Sequence, residues 1–288
     1  LTYEFLINKE LINYSFRFNK DNTILEEVLK LNDDIILSRN MKSAIINLKN
    51  EKIKYNSDDF DKSILFLKKY YFVNKFTNNK TLRDWMSFLE NSTYFNSYIK
   101  EAVIYNFNKK SGLDYFEEED NIEKINHFFK ENDFHTEIKY DSNYKINEKM
   151  IFLKKGTLDC WLPIALESEG NRTLIKMLPI LMHAINTNAM LLFDEFSSGF
   201  SNELEEFIVK FLMSNMDYSQ AFFVTHSTNI LKSTILRPDQ IYNILFTDEV
   251  GATVVRASSE SPRETQNYEK MYLAGVFGRR MKYGESKN

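Results

Sequence analysis

Asp194, Glu195 and His226 are the residues of this chain whose types and spacing suit chemistry on a phosphate. The two acids close an apolar run, Met190, Leu191, Leu192 and Phe193; the histidine follows Thr225 at the end of a second apolar run over 221–224. An Asp at a strand end can hold Mg²⁺, largely through water, because that ion keeps much of its hydration shell. A neighbouring Glu can orient or deprotonate an attacking water, and a His can sense a terminal phosphate. Each residue alone has a plain structural alternative: apolar strands ending in Asp-Glu are common, and a histidine after a strand is usually a satisfied structural group. Their order and spacing as a set favour a site.

A third piece lies upstream. Glu167, Ser168, Glu169, Gly170, Asn171 and Arg172 precede a helical apolar pattern of Leu174, Met177, Leu178, Leu181 and Ile185. Ser168 and Gly170 at a helix start offer a hydroxyl and free backbone N–H groups to an anion, helped by the helix dipole. Standing alone, the same residues would read as an N-cap.

The elements that must position these groups follow from the pattern. A short apolar run ended by acids predicts a buried parallel strand whose carboxyl end opens on a crevice. Ser197, Ser198 and Gly199 predict a turn. An amphipathic helix then carries Leu204, Phe207, Ile208, Phe211 and Leu212, with Asn202 as its cap and Glu205 three residues on. Two adjacent strands would thus deliver Asp194, Glu195 and His226 to one sheet edge. Pro179 is expected to kink or break the helix after Gly170.

Earlier, Tyr3, Phe5 and Ile7 alternate, as do Tyr14, Phe16 and Phe18, around an Asn8-Lys9 turn. Runs over 24–31, 35–38, 44–48 and 52–55, the last two joined at Lys49-Asn50-Glu51, complete an antiparallel β lobe over 1–57. Helical spacing over 58–135 predicts helices through Ile64 to Tyr71, Leu82 to Leu89, 94–107 and 120–131, with a break at Ser111-Gly112. Their aromatics and lysines suit a core better than nucleic-acid stacking, and the acidic run over 117–120 opposes a phosphate-binding face. Residues 136–140 and 145–153 read as strands returning to the core of 136–288. Past His226, a short helix, a strand over 240–246, a turn at Asp248-Glu249-Val250-Gly251 and a strand over 253–257 predict an edge hairpin at the far end of the sheet.

The order of Ser-x-Gly helix, Asp-Glu strand and strand ending in His resembles the C-terminal half of an ABC-type ATPase: signature motif, Walker B with catalytic Glu, D-loop and switch His. More narrowly, it resembles the SMC- and OLD-related, AAA-type ATP-binding proteins of bacterial phage-resistance and abortive-infection systems. Their recurring text includes ESEGT-like signatures, DEFSSG, a THST-like switch, RPDQIY and a late YLSGVFGG-like segment. This chain has ESEGN at 167–171, DEFSSG at 194–199, THST at 225–228, RPDQIY at 237–242 and YLAGVFG at 272–278. It departs from that text at Ser201, where many relatives have His, and at Arg279-Arg280-Met281, where relatives tend to have Gly-Leu-Pro.

The resemblance implies an α/β fold: a partial ABC-type P-loop ATPase core with an antiparallel β lobe and a helical insertion lobe. It implies ATP and Mg²⁺, with Asp194 on the metal, Glu195 and His226 catalytic, and Ser168, Gly170, Asn171 and Ser198 on nucleotide. Ser168 and Gly170 would reach the γ-phosphate held by the opposite protomer. The implied partners are a second copy in a homodimer or higher oligomer and an effector protein, a nuclease or toxin, with nucleic acid left open. The alternatives are a non-hydrolysing scaffold or sensor that holds or releases a toxic effector, and an SMC-like DNA-repair ATPase. No long heptad pattern supports the latter.

Composition bounds these readings. With 288 residues, 43% of them hydrophobic and 27% charged, this is a globular composition, and the net charge of −4 gives no global attraction to nucleic acid. The single Cys160 excludes an internal disulfide and suits a reducing cytoplasm. No apolar run approaches the roughly 18 residues a membrane helix requires, and no secretory signal is visible. His127, His135 and His183 share no ligand spacing with one another or with Cys160, which disfavours zinc. No GxxxxGK[ST] occurs; the resemblance puts that phosphate loop N-terminal to the β lobe, hence before Leu1.

Overall fold

The computed structural model describes residues 1–48, 51–99, 101–104, 112–145, 148–217, 219–232, 235–247, 251–260 and 267–277. Lys49, Asn50, residues 105–107, Ser111, the turn residues Asp248, Glu249 and Val250, and Gly278 with Arg279, Arg280 and Met281 lie outside the described residues. The chain is mixed α/β, with antiparallel sheets and one sheet that contains parallel strands. It divides into two compact units, Leu1–Glu90 and Asn91–Asn288.

The first unit is an antiparallel meander. Strands β1 (Thr2–Ile7), β2 (Glu10–Phe18), β3 (Ile24–Leu31), β4 (Asp34–Asn40), β5 (Ser43–Leu48) and β6 (Glu51–Asn56) form one six-stranded sheet in that order. Asn8 and Lys9, both at positive φ, make the two-residue turn that this right-twisted hairpin prefers. Helices α1 (Phe66–Asn74) and α2 (Lys80–Asn91) follow. Phe66, Leu67 and Tyr70 of α1 and Leu82, Trp85 and Met86 of α2 pack on Ile12, Leu29, Leu37 and Ile46 of the sheet. The aromatics of α1 and α2 thus mostly fill a core, as their helical spacing suggested.

A buried charge cluster ties sheet to helix in this unit. The Glu27 carboxylate on β3 accepts from the Tyr14 hydroxyl at 2.9 Å, from the Phe66 and Leu67 amides at 2.6 and 2.9 Å, and from Arg39 at 3.4 Å. It therefore satisfies amide donors orphaned at the start of α1. Arg39, fully buried on β4, also donates through its two terminal nitrogens to the Ile64, Asp61 and Lys62 carbonyls and lies over the Phe60 ring, while its Nε has no hydrogen-bond partner among the described residues. Burial, and next the Glu27 charge, push the Tyr14 phenol far above its ordinary range.

The second unit holds the parallel strands. Residues 94–107 were expected to be helical, yet the described part forms β7 (Thr93–Asn96) and β8 (Glu101–Ile104). Thr93 and Phe95 are buried on one face of β7, and pairing with a central strand overrides the helical spacing of the local aromatics. Next come α3 (Glu119–Glu131), β9 (Thr136–Lys145), β10 (Glu148–Lys155), the short β11 (Leu162–Pro163) and α4 (Glu169–Thr187). The rest are β12 (Leu191–Asp194), α5 (Asn202–Asn215), β13 (Ala221–Phe223), β14 (Tyr242–Thr247), β15 (Gly251–Arg256) and α6 (Tyr268–Leu273). The core sheet runs β13-β12-β7-β8, with β12 parallel to both neighbours and β8 antiparallel.

Strands β9, β10 and β11 form an antiparallel sheet that returns to the core, contributing Ile138, Ile151 and Leu153 to it. One expectation about the sheet needs correction: among the described residues β14 and β15 pair with each other and not with the edge of the core sheet. The expected break at Pro179 is also absent, since α4 runs unbroken through it. An interior proline costs about 3 kcal/mol. Leu174, Ile175, Met177, Leu178, Ile180 and Leu181 are all buried along this helix, each contributing about 1.5–3 kcal/mol, so packing wins.

Removing one partner of a buried ion pair strands the other charge. Arg39→Ala is therefore expected to lower stability by about 3–5 kcal/mol in chemical denaturation. Arg17→Ala, which breaks the exposed Arg17–Glu26 pair, should leave the midpoint unchanged. Equal midpoints for the two variants would refute the clasp.

Candidate functional site

The parallel register sets the site. Phe193 of β12 lies opposite Phe95 of β7 and Phe223 of β13. Its ring stacks on Phe223 at 5.5 Å and meets Phe95 edge-on at 6.1 Å. Successive residues alternate faces, so Asp194 falls on the other side, opposite Asn96. There the Asp194 Oδ2 accepts from the Tyr94 hydroxyl at 2.9 Å and from the Asn96 side-chain amide at 3.0 Å. Asn96 is itself held, because its carbonyl oxygen accepts from the Tyr98 and Ile99 amides, both at 3.0 Å.

Glu195 leaves the strand with φ of +52°, the left-handed region. For a non-glycine residue this conformation costs on the order of 1–3 kcal/mol and persists only where the surroundings enforce it. Here the enforcement is a continued ladder: Val224 donates to the Phe193 carbonyl at 2.8 Å, Phe196 to that of Val224 at 3.0 Å, and Ser198 to that of Glu195 at 2.9 Å. The Glu195 Oε1 comes within 3.4 Å of His226 Nε2, with side chains 40% and 88% exposed. Ser197 and Thr225 share a hydroxyl–hydroxyl bond of 2.6 Å that staples the two strand ends together.

The start of α4 is built differently. Ser168 is its N-cap, and the hydroxyl accepts from the Asn171 amide at 3.3 Å. The Asn171 side chain donates to Glu167 at 2.7 Å, and Lys155 pairs with the other Glu167 oxygen at 2.6 Å. Burial works to raise the Glu167 carboxyl, but the bonds from Lys155 and Asn171 prevail and hold it below its ordinary range. A Cβ added to Gly170 would sit 2.8 Å from the Gly199 carbonyl oxygen. The helix start therefore presses directly on the turn after the acids. Gly199 itself has φ of +84°, and a Cβ there would meet the Glu169 side chain.

Asp194, Glu195 and His226 thus share one strand edge, while Ser168, Gly170 and Asn171 share a helix start packed on the Ser198–Gly199 turn. Among the described residues no hydrogen bond joins the two groups. A cleft of 580 Å³ lined by His135, Lys155, Gly156 and Asn171, among others, includes none of Asp194, Glu195 or His226. The cap of α5 is Ser201, whose hydroxyl accepts from the Leu204 amide at 3.3 Å, not the expected Asn202.

Sequence reasoning missed Tyr94 and Asn96. The alternation of Thr93 and Phe95 with Tyr94 and Asn96 was the available signal, masked by longer helical spacing. It also saw Glu205 only as a helix-start residue, although it is buried and bonded to Ser227 and Asn229.

The donor chemistry suits Mg²⁺. Asp194 offers a carboxylate oriented by Tyr94 and Asn96. One carboxylate plus waters and phosphate oxygens is how Mg²⁺ is commonly held, unlike the His- and Cys-rich cage of zinc.

Residues 1–232 match a protein-family profile described as "AAA domain, putative AbiEii toxin, Type IV TA system". No curated protein matches. A solved structure described as "Structural biochemistry of ATP-driven dimerization and DNA stimulated activation of SMC ATPases" is similar over 51% of this chain and 84% of its own. The identity is 14% and the TM-score 0.37, too low to carry an argument.

Overpacking a close backbone contact typically costs about 1–3 kcal/mol. Gly170→Ala should show that loss in thermal or chemical denaturation, because the Gly199 backbone must move. A variant as stable as wild type would mean that the contact yields freely.

Proposed function

The chain belongs to this AAA-domain family, and on that premise we propose that it binds and hydrolyses ATP as an ABC-type subunit that pairs with a second copy across the nucleotide. The observation that carries the reading is the edge of β12. Asp194 is oriented there by Tyr94 and Asn96, and Glu195 stands next to it within reach of His226.

When bound at Asp194, Mg²⁺ would offset the charge of the terminal phosphates and help orient them. Tyr94 and Asn96 keep the Asp194 carboxylate aimed at that position before nucleotide arrives, so less ordering is required on binding. Glu195 accepts a proton from, or orients, the attacking water, and its carboxylate is part-exposed, with His226 beside it. His226, on the neighbouring strand end, lies 3.4 Å from the Glu195 carboxylate and turns to the γ-phosphate when nucleotide is present. Ser168 and Gly170 serve a nucleotide held by the second copy. Asn171 supports that helix start from within, and Ser198 belongs to the turn pressed between the two groups.

In this reading the three stretches 1–57, 58–135 and 136–288 act as β lobe, helical lobe and the C-terminal half of the ATPase core. The family description, with its toxin and toxin–antitoxin system, supports an effector partner and a role in anti-phage defence. No helix among the described residues is long and apolar enough to cross a membrane. The alternative is a scaffold or sensor that binds nucleotide without turning it over and holds or releases a toxic effector.

Glu195→Gln in the native polypeptide should keep ATP binding and lose most turnover, about a hundredfold or more in kcat. An unchanged steady-state rate would remove Glu195 from the role, and a wild type with no turnover would favour the scaffold.

A second variant tests the pairing. Ser168→Arg places a long cation where phosphate and backbone must approach, so it should bind ATP yet neither dimerise nor hydrolyse. Mixed with Glu195→Gln protein it should recover at most one working site per heterodimer, with Glu195 from the Ser168→Arg copy and the helix start from the other. Light scattering with ATPase assays reads both; a Ser168→Arg monomer that hydrolyses normally would refute the composite site.

A further inference from the structure

Glu205 lies on α5, one turn past the Ser201 cap, and is 2% exposed. Unlike Glu27, it faces no buried arginine. Its Oε2 accepts from the Ser227 hydroxyl at 2.9 Å and from the Asn229 side-chain amide at 3.3 Å. Its Oε1, also buried, has no hydrogen-bond partner among the described residues. Burial pushes this carboxyl up, against the opposing pull of Ser227 and Asn229. A carboxylate left in that state costs folding free energy, and its ties lead to one segment only.

That segment is the one carrying His226. The Ser227 amide donates to the Thr225 hydroxyl at 3.0 Å, and the Thr225 hydroxyl is bonded to Ser197 beside the acids. The Asn229 amide donates to the Ser227 hydroxyl at 3.2 Å, and its side chain also reaches the Asn202 carbonyl at 3.0 Å. Thr228 donates to Glu269 of α6 at 2.8 Å. Both flanks of His226 are thus pinned, while its own ring is 88% exposed with Glu195 as its near charged neighbour.

We infer that Glu205 is a positioning residue: by gripping Ser227 and Asn229 it holds His226 at the distance from Glu195 from which the imidazole can exchange that carboxylate for a phosphate. The inference rests on the roles proposed above for Glu195 and His226. It adds a residue that touches neither nucleotide nor metal. It also links α5, which continues from the Gly199 turn pressed on Gly170, to the loop of the switch histidine. A change at the helix start has a short bonded route to His226 through Ser201, Asn202 and Asn229.

The test is a double-mutant cycle in the native polypeptide. Glu205→Ala should lower kcat about tenfold or more and leave KM within about twofold. Glu205→Gln keeps an acceptor for Ser227 and Asn229 and should recover at least about a third of the wild-type kcat. Ser227→Ala, which removes one donor, should fall between them. On a His226→Ala background, Glu205→Ala should add no further loss, because both act through one group. Amide hydrogen exchange supplies a readout independent of turnover: the Ser227 and Asn229 amides should lose protection in Glu205→Ala and keep it in Glu205→Gln.

An unaltered kcat in Glu205→Ala, or equal fold losses on wild-type and His226→Ala backgrounds, would overturn the inference. So would unchanged protection at Ser227 and Asn229. A His226→Ala protein with full activity would instead refute the role given to His226, and a wild type without turnover would refute hydrolysis itself. In those two cases the exchange data still decide whether Glu205 holds the loop.

Discussion

The register of β12 between two parallel neighbours is the constraint on which the site depends. Because side chains alternate along a strand, a slip of one residue would turn Asp194 toward the core and Phe193 toward the edge. The Phe95, Phe193 and Phe223 rings, in register across three strands with Phe196 packed on the last two, make such a slip costly. The same register places Asn96 and Tyr94 on the Asp194 carboxylate and brings Val224 to the carbonyl of Phe193. The left-handed Glu195 then follows as the way the chain leaves a strand it cannot shift along.

Three acids show how differently this protein treats a carboxylate. Glu27 is sealed in the first unit with a guanidinium, a phenol and two helix-start amides, so its role is to join sheet and helix. Asp194 sits at a half-buried edge with only neutral donors, the Tyr94 hydroxyl and Asn96 amide on one oxygen and the Glu195 backbone amide at 3.2 Å on the other, so no cation among the described residues neutralises it. Glu205 is buried with neutral donors on one oxygen and, among the described residues, none on the other, an arrangement that core stability alone does not favour. The chemistry of each follows from its partners, not from residue type.

The close approach of Gly170 to Gly199 links the helix start to the acid-bearing strand within one chain. Two elements meant, in the proposed reading, for different nucleotides are therefore mechanically adjacent. The Ser197–Thr225 bond extends that adjacency to the histidine strand, so the turn after the acids touches every part of the site.

Much of this was legible in the residues. The strand alternation of 1–57, the Asn8-Lys9 turn, the helix after Ser168 and the strand bearing Asp194 all follow from local periodicity and turn chemistry, which act over a few residues. The order of Ser168, Asp194 and His226 pointed to phosphate chemistry for the same reason: spacing along the chain is itself the signal. Pairing is not local. Nothing in Thr93 to Asn96 announces that Asn91 onward will lie beside a strand a hundred residues later, so Tyr94 and Asn96 were assigned to a helix. Pro179 was weighed by its own missing amide, without the buried side chains that keep α4 continuous through it. Glu205 looked like a capping acid because its partners, Ser227 and Asn229, reach it only after β13 has docked. Long-range hydrogen bonds and shared burial decided these points, and both exist only once the sheet has closed.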